Sequence, residues 1–114
     1  MLRRNYRLRD RKSVARVYRQ GKTARTGKLT MRYTQNHTDS TRLAVVVSKK
    51  VAKSAPLRNR IRRRLSETFR RKWDTIKPGY DIIISVHDVS AATMDQADLD
   101  KLTDQLLSKA NLYP

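Results

Sequence analysis

Apolar residues recur at helical spacing in three stretches of the chain and run as strands in three others. Val14, Val17 and Tyr18 stand at i, i+3 and i+4, which predicts a helix over 10–20 with Gly21 as a left-handed stop. "KLTMRYT" (28–34) alternates, with Leu29, Met31 and Tyr33 on one face and Lys28, Thr30, Arg32 and Thr34 on the other, as a half-buried strand does. "RLAVVVSKK" (42–50) is β-branched and reads as a central strand. "YDIIISV" (80–86) is another strand, announced by "KPG" at 77–79, and "NHTDST" (36–41) is a turn. Leu57, Ile61, Leu65, Phe69 and Trp73 recur every four residues. At 100° per residue they drift slowly around one side of a helix and form a broad apolar stripe. Ser54 is placed to cap that helix, and Pro56 falls in its first turn, where a missing N–H costs little. From Thr93 to about Asn111 a third helix is expected. Thr93 and Gln96 have capping-box spacing, Leu99, Leu102, Leu106 and Ala110 form the stripe, and Asp95, Asp98 and Asp100 sit early, where the helix dipole favours acids. With a short β stretch near 22–26, the pattern gives an α+β two-layer sandwich, helices against a small sheet.

Composition adds a partner class. The 114 residues suffice for one domain (1–114), with 1–7 expected as a flexible basic arm. Lys+Arg number 27 against 10 Asp+Glu, a formal net charge of +17. That self-repulsion points to a polyanionic partner, while 38% hydrophobic residues argue for a folded domain over a disordered tail. Residues 1–77 carry 25 Lys+Arg and 4 Asp+Glu, and residues 78–114 carry 2 and 6, so the binding surface is expected in the first two thirds. Cysteine is absent, which excludes disulfides and thiolate zinc sites. No apolar run approaches the ~20 residues of a membrane span, and the N-terminus lacks the apolar core of a secretory signal; a cytoplasmic protein is expected.

The charge concentrates on the middle helix. Arg58, Arg60, Arg62, Arg63 and Arg64 lie within seven positions, and Glu67 is the only acid between Ala55 and Trp73. A mixed-sign helix gains from i, i+4 ion pairs, and this one has almost none to make. Guanidinium groups suit phosphate through their bidentate donors. Lys49, Lys50 and Lys53 lead into the helix and extend the basic surface. Arginines pointing several ways from the axis exceed what one DNA major groove accepts, so folded RNA is expected and DNA is not.

"SKKVAKSAPLRNRIRRRLSETFR" (48–70) resembles the signature of the bacterial ribonuclease P protein family, whose RNR motif is here Arg58-Asn59-Arg60. "RLRDRKSVARVYRQG" (7–21) resembles the family's first helix and "DIIIS" (81–85) its last strand. The resemblance implies a fold like domain 2 of ribosomal protein S5, with a left-handed βαβ crossover around the arginine helix, where a right-handed one is the general rule. It implies a subunit of ribonuclease P, an endoribonuclease that removes the 5′ leader from precursor tRNA. Catalysis would belong to the RNA subunit, with magnesium bound mainly by that RNA and the RNA substrate. The partners implied are ribonuclease P RNA and precursor tRNA, with no membrane and no DNA. By matching position, Lys49, Lys50, Lys53, Arg58, Asn59, Arg60, Arg62, Arg63 and Arg64 would contact the RNA, although Arg64 stands where the family commonly has leucine. Val14 and Tyr18 match first-helix positions that are commonly aromatic and face the leader; Tyr18 keeps the stacking chemistry and Val14 does not. On the strand, Arg32 or Thr30 is the third expected leader contact, and Tyr33 is expected in the core.

No catalytic residue and no protein metal site is expected. His37 and His87 lie in separate segments without ligand spacing, and no nucleophile triad or glycine-rich phosphate loop appears. The competing reading is a structural RNA binder of the ribosomal-protein type.

Overall fold

The computed structural model describes residues 3–113. Its elements are α1 (Arg11–Gln20), β1 (Lys22–Arg25), β2 (Leu29–Gln35), β3 (Arg42–Val47), α2 (Ala55–Arg71), β4 (Tyr80–Val86) and α3 (Gln96–Lys109), with short 3-10 turns at Arg4–Tyr6, Trp73–Thr75 and Val89–Ala92. The strands form one sheet in the order β1-β2-β4-β3. β1 and β4 each pair antiparallel with β2, and β3 pairs parallel with β4. A parallel neighbour needs a crossover, and α2 supplies it.

β2 and β4 are therefore the inner strands, and β3, expected at the centre, is an edge. Its β-branched run fits a buried strand, but Val46 is 42% exposed. The free side of β3 is partly covered by the N-terminal segment. Arg7 forms a parallel bridge with Leu43, the Leu8 N–H donates to the Leu43 carbonyl, and the Tyr6 ring lies 5.3 Å from Trp73. Of the basic arm expected over 1–7, Tyr6 and Arg7 are laid against the body, which protects an otherwise open edge. Met1 and Leu2 lie outside the described residues.

Each side of the sheet has its own apolar cluster. Leu29, Met31, Ile82, Ile84 and Val86 meet α2 and α3 through Ile61, Leu65, Phe69, Leu99, Leu106 and Leu107. On the other side Ile83 meets Leu8 and Val17, with Val14 and Ala44 packed against them. The period-2 alternation of β4 feeds both. α1 buries Val17 fully and Val14 in part, while Tyr18, expected in the same stripe, is 48% exposed.

The helix ends refine the expected signals. Ser54 caps α2 by accepting the Leu57 N–H, and Asp10 caps α1 by accepting the Ser13 N–H. Gly21 does end α1, but with φ −69° it is not left-handed. A side chain there would put Cβ 2.3 Å from the Val17 carbonyl oxygen, so close backbone approach is what selects glycine. α3 begins at Gln96 with Asp95 as N-cap, and the Thr93–Gln96 capping box does not form. Thr93 instead closes the preceding 3-10 turn, and Gln96 Nε2 donates to Thr68 Oγ1 and Asp100 Oδ1.

Candidate nucleic-acid interface

α2 sorts its arginines by what surrounds them. The apolar stripe is held against the sheet, so the remaining side chains meet either solvent or the helix's flanks. Arg60 and Arg63 are exposed and have no hydrogen bond or ion pair among the described residues. Arg62 donates to Asn59 Oδ1 at 2.5 Å, which aligns the two side chains one turn apart. Arg58 Nη1 donates to the Ala52 and Lys53 carbonyls, both at 2.9 Å, and pins the loop before the helix. Arg64 donates through both terminal nitrogens, at 2.9 Å to the Ala91 carbonyl and 2.6 Å to the Met94 carbonyl. It is half-buried and fastens α2 to the turn before α3. Its expected RNA contact therefore competes with a structural use. At the far end Arg70 pairs with Glu67, and the Arg70 guanidinium holds that carboxyl below its usual range.

The lysines sit in the turn that joins β3 to α2. The Val51 and Ala52 N–H groups close that turn on the Ser48 carbonyl, leaving Lys49, Lys50 and Lys53 exposed. These lysines, with Asn59, Arg60 and Arg63, are all exposed and make a basic surface of the turn and the outward side of α2. Beside it runs a cleft of about 770 Å³, walled by Arg7 and Arg9 on one side, the Leu43–Val45 stretch of β3 at its base, and Asn59, Arg62 and Arg63 on the other. Arg7 and Arg9 are absent from the expected set. The charge of their segment is legible, but its docking depends on a pairing 36 residues distant.

A second crevice lies between α1 and the sheet. Arg32 and Tyr18 meet at its rim, with the Arg32 guanidinium carbon 5.2 Å from the Tyr18 ring centre, a cation–π distance. Thr30, on the same face of β2, shares a 2.6 Å hydrogen bond with His87 Nε2. Val14 does not line the rim; it packs with Leu8, Val17 and Ile83. Tyr33 packs into the opposite core, as expected, with its ring 6.5 Å from Tyr80.

A buried carboxylate holds α1 at this angle. Asp81 is fully buried on β4 and accepts from Arg16 Nη2 at 3.0 Å, Arg42 Nε at 2.9 Å, Arg42 Nη2 at 2.8 Å and Asn36 Nδ2 at 2.9 Å. Arg42 also reaches Asp10 at 3.2 Å. The Asp81 hydrogen bonds push the Arg42 guanidinium further toward its charged form, and hydrogen bonds from Ser13 hold the Asp10 carboxyl below its usual value. A charge buried this deeply is tolerated because all of its neighbours are donors. No three His, Asp or Glu side chains gather as a metal-ligand group among the described residues.

The ribonuclease P family model matches residues 2–111, nearly the whole chain. The chain belongs to the ribonuclease P protein family. It is 36% identical over 107 residues to the ribonuclease P protein component of Clostridium botulinum strain Langeland, covering 93% of this chain and 95% of the relative. To that of Pseudanabaena sp. PCC 6903 it is 36% identical over 113 residues, covering 98% and 97%. Among solved structures, the Staphylococcus aureus ribonuclease P protein superposes with a TM-score of 0.83 at 26% identity, covering 96% of this chain and 98% of that one. The Thermotoga maritima ribonuclease P protein gives 0.81 at 26% identity, covering 90% and 96%. The expected family and the α+β sandwich with a mixed sheet are both found. No helix among the described residues is long and apolar enough to cross a membrane.

Proposed function

We propose that this chain works as the protein subunit of a cytoplasmic ribonuclease P, binding a catalytic RNA and helping it remove the 5′ leader of precursor tRNA. The match over residues 2–111 carries the reading. The basic surface of Arg60, Arg63, Lys49, Lys50 and Lys53 supplies its physics. Each phosphate it neutralises releases counterions from the RNA and reduces the repulsion between catalytic RNA and substrate RNA. The α1 crevice supplies a stacking edge at Tyr18, backed by the Arg32 charge, for a single-stranded leader. Magnesium is assigned to the RNA subunit and the RNA substrate, and the chain's own share of the reaction is binding and positioning.

The test is multiple-turnover cleavage of a precursor tRNA by the cognate catalytic RNA at low magnesium, with and without the protein. Restored 5′ processing, with no cleavage by the protein alone, is expected. RNA binding without restored cleavage would return the chain to a structural RNA binder. Tyr18→Ala tests the crevice: precursor tRNA should bind the holoenzyme about tenfold more weakly, the value of one lost base stack, with mature tRNA unchanged. Equal losses for both substrates would remove the crevice from leader binding.

A further inference from the structure

A second basic pocket lies outside both surfaces described above. It has a volume of about 520 Å³ and is lined by Arg16 of α1, Lys22 of β1, Tyr33 of β2, His37 of the following turn, and Lys77 and Tyr80 at the start of β4. Its place in the sheet is set by register. Gln35 faces Tyr80 at this end of the β2–β4 pair, and Leu29 faces Val86 at the other. The lysine turn and the first turn of α2 follow Val47, which pairs with Val86. The pocket and the lysine turn therefore stand at opposite ends of the sheet, about 20 Å apart at the ordinary strand rise.

The charge in the pocket is unbalanced. Among the described residues no acidic side chain lines it. Lys22 and Lys77 have no side-chain hydrogen bond or ion pair among the described residues. Arg16 pairs with Asp81, but Asp81 also receives Arg42, so one carboxylate serves two guanidinium groups. The Nε of Arg16 is buried without a partner. Two lysines, an imidazole and an arginine that shares its carboxylate thus converge from four separate segments on one concavity, where the two lysines have no counter-charge among the described residues. The two tyrosines, their rings inclined at 55°, add phenolic hydroxyls and an apolar wall. A cavity of this size exceeds what a bare phosphate fills and matches a nucleotide.

We propose that this pocket binds the phosphate of a ribonucleotide unit, so that the protein grips RNA at both ends of its sheet. Lys22 and Lys77 contact the phosphate oxygens, Arg16 supplies charge from behind, and the Tyr33–Tyr80 wall receives the sugar or base. The proposal stands apart from the ribonuclease P reading, since it needs only that an RNA phosphate reach this end of the molecule.

The experiment is a backbone-amide NMR titration of the full chain with adenosine 5′-monophosphate, adenosine and inorganic phosphate. The variants are Lys22→Gln/Lys77→Gln and, as a matched loss of two charges elsewhere, Arg60→Ala/Arg63→Ala. The monophosphate is expected to shift amides of Tyr33, His37 and Tyr80. Lys22→Gln/Lys77→Gln should weaken that response about tenfold or more, the ordinary value of charged hydrogen bonds. Arg60→Ala/Arg63→Ala should leave it unchanged. Equal weakening in both variants, or shifts confined to α2, would overturn the site. Inorganic phosphate binding as tightly as the monophosphate would overturn the nucleotide assignment, and adenosine binding as tightly would overturn the phosphate role. Because both variants alter exposed side chains, each is checked for native amide dispersion; a lysine variant that unfolds is replaced by Lys77→Gln alone, judged by the same shifts.

Discussion

Arg60, Arg63 and Arg64 fall within five positions of one helix, and their surroundings give them different work. Arg60 and Arg63 are exposed without partners among the described residues, while Arg64 closes two hydrogen bonds onto backbone carbonyls. Removing the first pair should reduce RNA affinity and flatten its dependence on salt. If each arginine meets one phosphate, the slope of log K against log salt falls by about 2. The measurement is equilibrium binding to the catalytic RNA at several salt concentrations, and an unchanged slope would deny those contacts. Arg64→Ala should instead cost about 1–3 kcal/mol of stability in denaturant unfolding, because two partly buried carbonyls lose their charged donor. Its salt slope should stay near that of the parent chain. At 100° per residue Arg64 lies about a right angle from the centre of the apolar stripe, and what covers that side of the helix is decided only by the turn packed against it.

At the scale of elements, caps were legible where the capping residue and its helix adjoin in sequence. Ser54 and Asp10 both accept the N–H three residues on. Thr93 and Gln96 have the right spacing and fail, because a 3-10 turn occupies Val89–Ala92 and delays α3 to Gln96. The Asp10 cap has a pH signature. Its folded pKa is depressed, chiefly by the hydrogen bonds from Ser13. Its contribution is therefore fully present above the unfolded value near 3.8 and is lost as pH falls through the lower folded value. Amide exchange in α1 should accelerate relative to α3 as pH is lowered through this range, after correction for intrinsic rates. Asp10→Asn keeps an acceptor but does not titrate, so it should abolish that relative acceleration. The same acceleration in Asp10→Asn would place its source elsewhere.

The molecule as a whole is organised around β4. Its odd and even residues feed two separate cores, and Asp81 at its start ties α1, β3 and the 36–41 turn together. Asp81→Ala would leave Arg16 and Arg42 without their shared carboxylate and should destabilise the chain by about 3–5 kcal/mol. Urea unfolding measures this, and a loss below about 1 kcal/mol would mean the guanidinium groups find water instead. The same contacts fix the angle of α1 against the sheet, so a milder Asp81→Asn should also alter the crevice at Tyr18 and Arg32.

The sequence by itself determined the elements, their periodicities, the sign and position of the charge, and the family, because each of these is written in local spacing or in a contiguous motif. Strand order was not, since β3 and β4 are equally apolar and only pairing across the crossover places one inside and one at the edge. The docking of residues 6–8 against the body, the diversion of Arg64 to carbonyls and the meeting of Arg16, Lys22 and Lys77 in one pocket are likewise tertiary facts. Each joins residues far apart along the chain, and in each the energy depends on what a side chain meets after folding, which residue type and spacing do not encode.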